Sequence, residues 1–160
     1  MIKFQDPEQP FPATLHHTSF SGFVREAQQR KNESRDCMTP TVLLIDDNAV
    51  QAATRQTILK RAGYFVIAVL SPERALEQFR NNEFPAEIDL IITDHIMPGM
   101  NGNEFVRKIR EFAPDVPILV ISGMEEAEAE YEGLNTHFRL KPLLPDNLLA
   151  SVHRLAHRTE

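Results

Sequence analysis

A doubly wound α/β fold on a five-stranded parallel sheet is what this sequence predicts. Two observations carry that expectation. From residue 41 onward, five short apolar runs alternate with amphipathic segments. The runs are continuous rather than alternating, as for strands buried on both faces of a parallel sheet. A third feature marks where the chemistry lies: Asp46 and Asp47 close one run, and Asp94 closes another.

The elements follow in order. Val42-Leu43-Leu44-Ile45 places the first strand at about 41–46. Asn48 is a good N-cap and Gly63 a good C′ residue, so the first helix covers about 48–62. Its expected inward stripe is Val50, Thr54, Ile58 and Ala62. A second strand is expected at 65–69, and Ser71-Pro72 opens a helix over 72–82. Leu90-Ile91-Ile92-Thr93 gives a third strand at 88–94. The next helix spans 102–112, with Phe105, Ile109 and Phe112 inward and Pro114 beyond its end. A fourth strand follows at 116–121, then a short helix within 125–132. A fifth strand at 137–140 leads to a last helix at 145–157, with Leu148, Val152 and Leu155 inward. For five such units with right-handed crossovers, the common open-sheet solution is the flavodoxin-like order 2-1-3-4-5. Strands one and three are then neighbours at the switch point, where ligands bind outside the carboxyl ends. Asp46, Asp47 and Asp94 converge there without further assumption.

The 160 residues suit one domain plus a tail, and 42% hydrophobic residues suffice for a core. Residues 1–40 hold four prolines and a polar stretch from Gln28 to Asp36, and read as a mostly unstructured tail or linker. Phe20, Phe23, Val24 and Ala27 form one apolar helical stripe there, a candidate short helix at 20–30. Met38, just before the first strand, is an alternative start. Residues 1–38 carry five basic and five acidic side chains, so the net charge of −6 comes wholly from residues 39–160. That sign argues against a general nucleic-acid binder. The single Cys37 excludes an internal disulfide and fits a reducing compartment. No apolar run approaches a membrane span, and no secretory signal opens the chain. A soluble cytoplasmic protein without membrane partners is expected.

Carboxylates are depleted in strands and costly to bury. Two of them about 5 Å apart repel by about 3 kcal/mol at an effective dielectric of 20. A divalent ion removes the conflict, and hard oxygen ligands suit Mg²⁺, which keeps several waters and accepts phosphate oxygens. A fourth strand ending at Ser122 and a fifth at Lys141-Pro142 add a hydroxyl and an ammonium. Such a set can take up a phosphoryl group.

Taken together, Ile45-Asp46-Asp47-Asn48, Asp94-His95-Ile96-Met97-Pro98-Gly99-Met100-Asn101-Gly102, Ser122-Gly123 and Lys141-Pro142 closely resemble the receiver domain (CheY-like) of two-component response regulators. The resemblance runs over about 41–158. It implies that Asp94 is the phosphoacceptor, attacking the phosphorus of a phosphohistidine on a sensor histidine kinase or a histidine phosphotransfer protein. It implies that Asp47, Asp94 and the backbone carbonyl of Ile96 bind Mg²⁺ directly, with Asp46 acting through a metal-bound water. Lys141 would neutralise one phosphoryl oxygen, the Ser122 hydroxyl would donate to another, and Ser122 with Phe138 would form the switch. The Lys141–Pro142 bond is expected to be cis. Gly102 is expected to serve close backbone approach or a positive φ. Beyond its own phosphotransfer and dephosphorylation, the domain is not expected to be an enzyme.

Some features depart from the family pattern. Ile96 and Met124 are apolar where neighbouring side chains influence acyl-phosphate hydrolysis, so a long-lived phosphorylated state is expected. The stretch from Ser122 to Lys141 is short and holds Glu125, Glu126, Glu128, Glu130 and Glu132, so its helix should be short or distorted. His95 should pack or lie at the surface, pointing away from Asp94. His153 and His157 share a metal-capable spacing but lack a third ligand. With three residues after the last helix, output is expected to be contact with an unknown downstream protein. The competing reading is a phosphorylation-independent adaptor of the same fold. A haloacid-dehalogenase-type phosphohydrolase fits less well, because its D-x-D motif would need an acid where Asn48 stands.

Overall fold

The computed structural model describes residues 39–157, so the candidate tail helix at 20–30 and Cys37 lie outside the described residues. Strand β1 (Thr41–Ile45) leads into helix α1 (Ala49–Arg61), then β2 (Phe65–Val69) and α2 (Pro72–Arg80). Strand β3 (Leu90–Asp94) precedes α3 (Gly102–Ile109), and β4 (Ile118–Ser122) precedes a 3₁₀ helix (Glu125–Tyr131). Strand β5 (Thr136–Leu140) and α4 (Pro145–Ala156) complete the order. The sheet is parallel with order β2-β1-β3-β4-β5, as the sequence predicts.

Why the elements form is visible locally. The Asn48 side chain accepts from the backbone N–H groups of Val50 and Gln51, which caps α1. Past its end, Gly63 takes a φ of +95°, a conformation glycine adopts without steric cost. Ser71 caps α2 with Pro72 in its first turn. Asn101 and Glu104 close a reciprocal capping box on α3. The strands present both faces to apolar layers. Leu43, Ile45 and Ile91 pack with Leu76, Phe105 and Ile109, while Val42, Leu44, Leu90 and Ile92 pack with Leu59, Leu148 and Val152.

Two expectations about inward faces fail. On α1, Val50 is 75% exposed, and Thr54 and Ala62 face solvent; only Ile58 of the expected stripe packs, and that partly. The buried residues are Ala52 and Leu59, with Arg55 and Gln56 half-buried between them. The true stripe therefore runs 52-55/56-59, a seven-residue repeat whose middle is polar. Phe112 is 41% exposed, because α3 stops at Ile109, before that position. Ser122 belongs to β4 itself. The fourth helical segment is a short 3₁₀ helix, as its length and composition suggest.

Candidate functional site

The register brings the carboxyl ends of the strands together. Ile45 pairs with Thr93 between β1 and β3, so Asp46 and Asp94 leave adjoining strand ends. Asp46 is fully buried and Asp94 is 5% exposed. A buried ion costs several kcal/mol, more than the roughly 1.5–3 kcal/mol that one buried Leu or Ile contributes, so these carboxylates need partners. Burial pushes the Asp46 carboxyl above the usual range, and the neighbouring Asp94 charge adds to this. A hydrogen bond from the Asn48 N–H to Asp46 Oδ1 (2.9 Å), with the Arg55 and Lys141 charges, opposes the rise.

Lys141 follows β5, and its Nζ lies 2.7 Å from Asp94 Oδ2. The Lys141–Pro142 bond is cis, and the Lys141 N–H donates to Ser122 O at 2.7 Å. Arg55, which the sequence did not reveal, also enters the pocket. Its Nη1 sits 2.5 Å from Asp46 Oδ2 and 3.0 Å from Asp94 Oδ1. Gln51 Oε1 lies 3.4 Å from both Arg55 Nη2 and Lys141 Nζ. The signal for Arg55 was its place between Ala52 and Leu59 on the real inward stripe.

The other expected site residues are engaged elsewhere or exposed. Asp47 is exposed and so is Ile96. The buried Ser122 hydroxyl is engaged with its own turn: it accepts from Met124 N at 2.9 Å and lies 3.2 Å from Met124 O. Phe138 is half-buried, its ring 5.9 Å from that of Tyr131. His95, buried, pairs through Nδ1 with the Tyr131 hydroxyl at 2.7 Å, so it is packing. Tyr131, too, went unread in the sequence; Ala127 and Tyr131 at i and i+4 were its faint trace. At Gly102, an added Cβ would lie 2.5 Å from Asp94 O and 2.9 Å from His95 Cα, so close approach explains this glycine.

The donor chemistry fits a hard divalent cation: carboxylates on adjoining strand ends, with Asp47 exposed beside them. One oxygen of Asp46 and one of Asp94, however, are held by Arg55, and among the described residues no three His, Cys, Asp or Glu side chains are grouped to hold a metal as they stand.

A parallel 2-1-3-4-5 sheet with paired acids at the switch point and a lysine from the last strand defines a receiver-type α/β domain. Residues 42–153 match the family model described as the response regulator receiver domain, and this chain belongs to that family. It is 33% identical over 158 residues to the autoinducer 1 sensor kinase/phosphatase LuxN of Vibrio campbellii, covering 94% of this chain and 18% of the relative. It is 32% identical over 120 residues to the transcriptional regulatory protein ZraR of Escherichia coli, covering 72% and 26%. The chain thus matches only about a fifth to a quarter of the length of these relatives. Among solved structures, chemotaxis protein CheY4 of Vibrio cholerae superposes with a TM-score of 0.66 at 29% identity, covering 74% of this chain and 99% of that one. A response regulator receiver protein from Sinorhizobium medicae gives 0.66 at 31%, covering 76% and 98%. The domain is a receiver of phosphorelay signalling. Among the described residues, no helix is long and apolar enough to cross a membrane.

Proposed function

We propose that this receiver accepts a phosphoryl group on Asp94 from a phosphohistidine of a sensor histidine kinase or histidine phosphotransfer protein. The observation that carries this is Lys141 Nζ at 2.7 Å from an almost fully buried Asp94 carboxylate, beside the buried Asp46. An Asp94 oxygen attacks phosphorus, the P–N bond breaks, and its electron pair returns to the partner's imidazole nitrogen. The product is an acyl phosphate. Such transfer leaves positioning and charge neutralisation as the protein's task. Lys141 neutralises a phosphoryl oxygen, and the Ser122 hydroxyl leaves Met124 to donate to another. Asp46, Asp47, Asp94 and the Ile96 carbonyl would hold Mg²⁺. Bound there, Mg²⁺ would offset the negative charge of the phosphoryl oxygens.

Ser122 and Phe138 form the switch, with Phe138 turning inward as Ser122 moves. The domain has no catalytic activity beyond its own phosphotransfer and dephosphorylation. Ile96 and Met124 cannot orient an attacking water by hydrogen bond, which favours a long-lived acyl phosphate. Output passes by contact to a downstream protein in the cytoplasm, and the acidic 3₁₀ segment favours a basic one.

The phosphorylation-independent adaptor draws on one observation: both Asp94 oxygens are already paired with cations. A single experiment separates the readings. The full chain is incubated with Mg²⁺ and acetyl phosphate alongside Asp94→Asn. Acid-stable, base-labile label that disappears in the variant supports the acceptor. Equal labelling of both proteins, or none in wild type, refutes it.

A further inference from the structure

Arg55 is the residue of the pocket that the family resemblance does not account for. Every oxygen of the two inner carboxylates is engaged. Asp46 Oδ1 accepts from the backbone of Asn48, and Asp46 Oδ2 and Asp94 Oδ1 share Arg55 Nη1. Asp94 Oδ2 belongs to Lys141. A divalent cation and its waters serving both carboxylates need the space that Arg55 Nη1 now fills, 2.5 Å from Asp46 Oδ2 and 3.0 Å from Asp94 Oδ1. The Asn48 N–H is fixed by the start of α1, where Asn48 is the cap. Lys141 serves the opposite oxygen. Among the described residues Arg55 alone bridges the two acids, and it does so with the tip of a long flexible side chain. Its side chain is 13% exposed, and Nη2 already lies 3.4 Å from the exposed Gln51 one turn earlier on α1. The guanidinium therefore has a route outward along its own helix.

We propose that Arg55 is a resident counter-cation of the acceptor pocket, and that a divalent metal binds only by displacing its guanidinium from Asp46 and Asp94. The inference rests on the receiver reading above and concerns how this chain sets its metal requirement. A unit charge already between the carboxylates lowers the gain from a divalent ion, so this receiver needs more Mg²⁺ than the acids alone would. The same charge offsets carboxylate repulsion before metal arrives.

The test compares full-length wild type with Arg55→Leu, and with Arg55→Gln in case the leucine variant folds poorly. Mg²⁺ binding is measured by calorimetry at fixed ionic strength, and melting temperature is followed against MgCl₂. Loss of the guanidinium should tighten Mg²⁺ binding by about tenfold or more, because the ion no longer has to break the pairs of Arg55 with Asp46 and Asp94. It should also lower the metal-free melting temperature and enlarge the rise that Mg²⁺ produces. Equal or weaker Mg²⁺ binding in both variants overturns the role of Arg55, and if Asp94-dependent labelling persists, the receiver reading stands without it. Absence of Mg²⁺ binding in wild type and variants, together with no Asp94-dependent labelling, overturns both.

Discussion

Replacing Tyr131 by Phe tests how the 3₁₀ helix is tied to the strand end at Asp94. The hydroxyl lies 2.7 Å from His95 Nδ1, and both residues are buried. Burial pushes the phenol well above its ordinary pKa, so the hydroxyl stays protonated at neutral pH. Phe fills the same ring volume, so no cavity forms and the cost is that of an orphaned polar atom. A buried polar group left without its partner costs about 1–3 kcal/mol. His95→Leu orphans the phenol instead, at a similar cost. With both partners apolar, the double variant should lose less than the sum, giving a coupling of about 1–2 kcal/mol. Urea unfolding at unchanged m-value reads these differences as midpoint shifts. Additivity within about 0.5 kcal/mol would refute the reasoning, since it would mean the pair contributes nothing as a pair. The connection to the site is short. His95 N donates to Ile121 O and His95 O accepts from Gly102 N, so the pair is mounted on held backbone directly after Asp94.

Arg110 donates to the carbonyls of Leu134, Ala113, Pro114, Val116 and Asn135. Those of Leu134, Ala113 and Val116 are in part-buried bonds, and the other two can rehydrate. At about 1 kcal/mol per part-buried bond, Arg110→Ala should cost roughly 3 kcal/mol by chemical denaturation, with Arg110→Lys recovering only part. Gly102→Ala meets backbone at 2.5 Å and should cost about 1–3 kcal/mol. Gly123→Ala meets nothing within 4 Å and should be neutral or stabilising by up to about 1 kcal/mol, so the two glycines should part clearly in thermal unfolding. Ser71→Ala removes the α2 cap and should cost about 1 kcal/mol at pH 7. The Ser71 hydroxyl also donates to Glu73 and holds its carboxyl below the ordinary value. That lowered pKa favours the fold above the unfolded value of 4.5 and is lost as pH falls through the folded one, so the variant should show a higher Glu73 pKa by NMR and a shallower acid limb.

How much was legible in the sequence depended on whether a residue sat where its type is unusual. Asp46 and Asp94 end apolar strands, and Lys141 stands before a proline after the last strand, so each announced itself by position. The parallel order then placed the two acids together. Arg55 was illegible for the opposite reason. An arginine on an amphipathic helix reads as a solvated charge, and the stripe drawn through Val50 and Thr54 hid the inward face. The bare Ala52 and Leu59 repeat, with a long cation midway, was the better reading: the stem can lie on the core while the head reaches a buried acid. Tyr131 was lost among five glutamates, which drew attention to charge and away from one anchoring aromatic.

The two cations in the pocket come from opposite sides of the sheet order, Arg55 from α1 beside β1 and Lys141 from beyond β5. Each holds a different oxygen of Asp94. On the proposed phosphotransfer, their roles would diverge once one oxygen forms the anhydride link to phosphorus. The lysine would keep a partner, because the phosphoryl group brings new negative oxygens. The guanidinium competes with any metal for Asp46 and Asp94 at once, and a +2 charge wins that contest only at sufficient concentration. A pocket that is neutralised from within is stable while idle, and its readiness to react is then set by the free concentration of the ion that must evict Arg55.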